Sequence, residues 1–179
     1  MSRKGPFGLW MGMTLSDFED RPRELSTPYR YITSVVPKPH SAFESYALQI
    51  PPQAGLSWIK AIGTNVSTNG YGTDLKNSFG SMANKLNRTY GKSKQTDLHL
   101  AGCVWSEPQY WMQALLSKER YFSSEWSKET GAVLSDGLES VWLMVAASDT
   151  STGFLNIEYL FDNHTVADAE VAALEDDAL

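Results

Sequence analysis

Beyond Lys128 the chain has no lysine and no arginine. From Glu129 to Leu179 it carries eleven acidic residues and no basic one, a net charge of −11 over 51 residues. The first 128 residues hold all fifteen basic residues against ten acidic ones, net +5, and the whole chain stands at −6. Phosphate contacts need lysine and arginine, so nucleic-acid binding through the last third is excluded. An acidic surface attracts a basic protein partner instead. The single Cys103 excludes an internal disulfide. The three histidines, His40, His99 and His164, lie in separate segments without paired ligand spacing. No metal or cofactor is therefore expected. No apolar run reaches the length of a membrane span, and MSRKGPFGLWMGM at the start lacks a signal-peptide core. The expectation is a cytoplasmic protein with no membrane partner.

Aromatic residues, by contrast, are plentiful: six Trp, eight Tyr and seven Phe. The clearest element is the run Tyr71–Tyr90. Leu75, Phe79, Met82, Leu86 and Tyr90 recur at helical spacing and predict one buried face. Thr73 or Asp74 can cap its start, and Gly91 can end it. Residues 1–4 form a loose leader, Phe7–Met13 a short strand and Leu15–Asp20 a short helix. Tyr29–Val36 alternates as a strand. Phe43–Ile50 and Leu56–Ile62 form a hairpin with Lys60 over the Tyr46 ring. Lys92–Asp97 is a polar loop and Leu98–Trp105 a strand. Glu107–Lys128 is a second long helix on the stripe Trp111, Leu115, Phe122 and Trp126. Val141–Ala147 and Phe154–Phe161 form a second hairpin, and Val166–Asp176 a short acidic helix that frays.

These elements give an α+β fold: an antiparallel sheet with helices packed on one face. Gly12-Met13-Thr14-Leu15 and Gly72-Thr73-Asp74-Leu75 each open a helix that precedes strands. That repetition suggests a tandem helix/β-hairpin module. The expected division is an N-terminal lobe at 1–66, a C-terminal lobe at 67–163 and an acidic tail at 164–179.

The stretch FGLWMGMTLSDF, Phe7–Phe18, resembles the Phe-Gly-Leu-x-x-Gly-Met-Thr openings of small proteobacterial proteins without assigned function. A related Gly-Met-Thr helix opening occurs in outer-membrane assembly lipoproteins. Those share their tandem helix-plus-sheet fold with the β-lactamase inhibitor proteins, which bind a partner across an aromatic-rich sheet. The resemblance implies a helix opening, not a site, and supplies no assigned activity. The lipobox cysteine of the lipoproteins is missing here, so membrane anchoring is not implied.

On the second hairpin, alternation places Leu143 with the buried residues Leu155 and Ile157. Trp142 and Met144 fall on the opposite side with Asn156 and Glu158. Two large apolar residues beside polar ones have the composition of a binding hot spot. Trp142, Met144, Asp149, Asn156, Glu158 and Asp162 are thus the candidate partner-binding residues of a non-enzymatic immunity or inhibitor protein, monomeric or homodimeric. The alternatives are a hydrolase using Asp17, Glu19 or Cys103, and a homo-oligomer subunit that buries the Trp142 face. Cys103 is expected in the core, about 13 Å along a strand from His99. Asp17, Glu19 and Asp20 read as complements to a helix dipole.

Overall fold

The structure, a computed structural model, describes residues 5–179; the expected leader at 1–4 lies outside them. Its strands are β1 (Arg23–Glu24), β2 (Arg30–Thr33), β3 (Phe43–Gln49), β4 (Trp58–Gly63), β5 (Val66–Ser67), β6 (Lys94–His99), β7 (Arg120–Ser127), β8 (Leu138–Ala147) and β9 (Thr152–Phe161). The α-helices are α1 (Thr73–Tyr90), α2 (Trp111–Leu116) and α3 (His164–Asp177). The strands form one antiparallel sheet in the order β1-β2-β3-β4-β9-β8-β7-β6, and β5 pairs with β9. This is an α+β fold.

Chain contacts group the residues into two compact units. The first comprises Met1–Ile62, Leu134–Val141 and Glu158–Leu179; the second comprises Gly63–Val133 and Trp142–Ile157. In the first, Tyr46, Leu48, Ile59, Tyr159 and Phe161 are buried. The Phe7 ring packs 4.7 Å from Tyr46 and 5.7 Å from Tyr159. Lys60 pairs with Glu158 at 3.4 Å and not with the Tyr46 ring, because alternation along β4 turns it away from the buried Ile59 and Ala61 while Tyr46 lies in the core.

In the second unit α1 buries Leu75, Phe79, Met82, Ala83 and Leu86, the face its periodicity predicts. Its start is capped from outside the helix. Asn69 Oδ1 accepts from Thr73 N–H at 3.2 Å, and Thr68 Oγ1 accepts from Asp74 N–H at 3.1 Å. Gly91 closes it with φ +88°. Trp126 donates from Nε1 to Asn87 Oδ1 and to the Gly91 carbonyl, at 3.1 and 3.2 Å.

Several expected elements differ. Phe7–Met13 is not a strand but begins as the 3-10 turn Pro6–Gly8, with Phe7 left-handed at φ 57°. The Leu15 helix is one turn, Leu15–Asp17: Asp17 accepts the Thr14 N–H at 2.9 Å as a capping box, but the backbone turns extended at Phe18. The expected long helix Glu107–Lys128 stops at Leu116. Lys118 takes φ +56°, and the chain returns as β7. Tyr121, Phe122 and Trp126 favour strands, and Ser123 and Ser124 are poor helix formers. Ser124 and Trp126 are buried at period two. The polar segment expected as a loop at Lys92–Asp97 becomes β6, paired with β7 from Lys94↔Glu125 to His99↔Arg120. The expected strand Leu98–Trp105 ends at His99, where the chain turns.

Candidate functional site

In the second unit both α-helices pack on one sheet face. The Phe122 ring of β7 lies 4.5 Å from Phe79 of α1 and 5.9 Å from Trp111 of α2. A β-carbon on Gly153 of β9 would meet Leu75 and Met112 from the same helices. Alternation turns the neighbouring positions away from these helices. On β7 and β6 these are Tyr121 and Leu98, directly opposite each other in register and 48% and 47% exposed. On β8 they are Trp142 and Met144, half-buried, opposite the fully buried Val141 and Leu143. On β9 they are Phe154 and Asn156. None of the helices of this unit lies on that face.

Asn156 is 7% exposed, yet its Oδ1 has no hydrogen-bond partner among the described residues. A buried acceptor left unpaired is unfavourable by about 1–3 kcal/mol, and native structures carry few of them. Asp149 sits exposed in the β8–β9 turn. It accepts from Ser151 N–H at 2.7 Å and Ser151 Oγ at 3.0 Å, and these bonds hold its carboxyl below the usual carboxylate range.

The other two candidates, Glu158 and Asp162, fall in the first unit. Glu158 is engaged there by Lys60 at 3.4 Å and by Trp58 Nε1 at 3.5 Å. Asp162 is exposed, and its N–H donates to the Gly137 carbonyl at 2.8 Å. The sequence pattern thus brings Trp142, Met144 and Asn156 to one face. It missed Leu98 and Tyr121, whose signal was the alternation Tyr121-Ser123-Glu125 inside a segment read as helix.

Cys103 is not a core residue and not distant from His99. A turn closed by Cys103 N–H on the Leu100 carbonyl, with Gly102 at φ +78°, brings Sγ to 3.0 Å from His99 Nε2. The thiol donates to Glu119 Oε2 at 3.1 Å, and Trp105 N–H approaches the same oxygen at 3.4 Å. Burial and then the Glu119 carboxylate push the thiol above its ordinary pKa, and the thiol's hydrogen bond holds Glu119 below its own. The arrangement favours the neutral thiol, whereas a nucleophilic cysteine needs the thiolate. Beside it, Arg120 grips Asp97 through Nε at 2.8 Å and Nη2 at 2.9 Å.

Asp17 receives the Thr14 N–H and hydroxyl, both at 2.9 Å. With Glu19 and Asp20 it edges a 210 Å³ cleft whose walls include Trp10, Met13 and Phe18. Among the described residues no group of three His, Cys, Asp or Glu side chains is placed to hold a metal ion. No helix among them is long and apolar enough to cross a membrane. Comparison with protein-family models, with curated protein sequences and with solved structures finds no match to this chain.

Proposed function

We propose that this chain is a non-enzymatic protein-binding protein of the immunity or inhibitor class, acting in the cytoplasm. Its partner docks on the helix-free face of the second unit, over Trp142, Met144 and Asn156. The observation that carries this is a helix-free face on which Trp142 and Met144 are only half-buried and Leu98 and Tyr121 stay exposed. The Trp and Met side chains would supply apolar area to the partner. Desolvated aromatic anchors ringed by polar groups dominate binding energies.

Further support comes from the neighbouring pair Leu98 and Tyr121, which extends the apolar area. Asp149 and the run of eleven carboxylates without a basic residue favour a basic partner, since complementary charge accelerates encounter.

The test is capture of a defined polypeptide on the immobilised chain, followed by deuterium exchange of the purified complex. Slowed exchange within β7, β8 and β9 of the second unit is expected. Slowed exchange confined to α1, or a wild-type homodimer that buries the Trp142 face, would contradict the proposal.

A further inference from the structure

α3 buries very little. Of its 14 residues only Ala167 is buried, while Val166 and Leu174 remain 66% and 38% exposed. One buried methyl group adds little apolar burial, and a helix this short is marginal in water. Its attachments are polar. Asn163 donates from Nδ2 to the Ala54 and Leu56 carbonyls at 3.0 and 3.2 Å. His164 Nε2 lies 2.9 Å from the Glu139 carboxylate. Gln49 Nε2 donates to Asp168 Oδ1 at 3.1 Å. The two Glu170 oxygens accept separately from the backbone N–H groups of Gln53, at 2.7 Å, and Ala54, at 2.8 Å.

Facing Asp168 and Glu170, the surface beneath α3 presents donors, whereas it meets Asn163 and His164 with the Ala54 and Leu56 carbonyls and the Glu139 carboxylate. Two successive N–H groups aimed at one carboxylate make an anion-binding concavity. The Gln49 amide adds a donor, and so does Arg30, whose guanidinium lies 4.2 Å over the Trp58 ring. Arg30 and Gln49 also line a 280 Å³ cleft with Asp168, Val171 and Glu175 of α3.

We propose that this donor surface is a docking site for an acidic peptide segment of a partner protein, with α3 as its resident and displaceable occupant. Charge complementarity selects the segment. It needs two carboxylates placed as those of Asp168 and Glu170 are, one for the Gln49 amide and one for the paired N–H groups. Little apolar burial is required, since α3 itself supplies almost none. This surface is separate from the Trp142 face, and neither proposal depends on the other.

The test titrates the full-length chain with a labelled synthetic peptide, Asn163–Leu179, read by fluorescence anisotropy. In the wild type α3 fills the site, so apparent affinity is reduced by the small fraction with α3 released. The full-length double variant Asp168→Ala with Glu170→Ala is expected to bind the peptide at least about tenfold more tightly than wild type does. Added salt should weaken that binding, and the peptide with both alanines should not bind. No gain over wild type would overturn the proposal. Should the double variant fail to fold, hydrogen exchange on wild type decides. Amides of α3 should exchange well ahead of those of α1, with the gap widening in about 1 M NaCl; equal protection overturns the proposal. A wild-type dimer that the double substitution dissociates would give the site to a second copy's α3, and would equally overturn a partner segment.

Discussion

The ring of Trp111 occupies the space that a β-carbon on Gly72 would need. Gly72 sits at the start of α1 with φ +70°, so two requirements meet at one position: a left-handed backbone and close approach of the α2 tryptophan. Gly72→Ala is expected to lose about 2–5 kcal/mol of stability, combining left-handed strain and overpacking. A β-carbon on Gly80, inside α1, would meet nothing within 4 Å, and Gly80→Ala should add about 0.5–1 kcal/mol. Urea unfolding of both variants measures the contrast. Equal effects would show that Trp111 does not pack there.

Cys103 and Glu119 shift each other's titration in opposite directions. Glu119 is held below its ordinary pKa in the fold, chiefly by the Cys103 thiol. It contributes stability that is present above the ordinary carboxylate pKa and is lost as pH falls through the folded value. Cys103 is held above its ordinary pKa, by burial first and Glu119 second. Its contribution is present below the ordinary thiol pKa and is lost as pH rises through the folded value. The stability difference between wild type and Cys103→Ala should therefore be greatest near neutral pH and shrink on both sides. Glu119→Gln should speed alkylation of Cys103 by iodoacetamide near neutral pH. A slower reaction in that variant would mean that His99, not Glu119, controls the thiol.

Asn156 gives a test of stability alone. Only Oδ1 is buried without a partner, and an apolar side chain of similar size removes that unsatisfied acceptor at little or no loss. Asn156→Leu should leave stability in urea unfolding unchanged or raise it by up to about 2 kcal/mol. Loss of more than about 1 kcal/mol would show that the amide is satisfied within the fold.

The α+β class, α1, and both hairpins were legible because their periodicities were unambiguous. Leu75, Phe79, Met82 and Leu86 keep one helical stripe, and Leu155, Ile157, Tyr159 and Phe161 keep strict alternation. The segment from Lys92 to Lys128 was not legible. Trp111, Leu115, Phe122 and Trp126 fit a helix at their spacing, yet Phe122, Ser124 and Trp126 also fit a strand. The left-handed turn at Lys118, which separates the two, has no glycine to announce it. The same gap hid the Cys103–His99 contact, because only the turn at Gly102 folds position 103 back onto 99. The caps of α1 were missed for a related reason. Thr68 and Asn69 reach past the left-handed Gly72 to serve N–H groups that a local pattern assigns to Thr73 or Asp74.

The central claim is that the helix-free face of the second unit binds a protein through Trp142. The most direct measurement is the dissociation constant of the captured partner for wild type, for Trp142→Ala and for Val104→Lys. Val104 is 74% exposed in the same unit, in the loop between β6 and α2, and serves as the control. Trp142→Ala should weaken binding by about 2 kcal/mol or more, roughly thirtyfold, with Val104→Lys close to wild type. Equal affinities for wild type and Trp142→Ala would contradict the account.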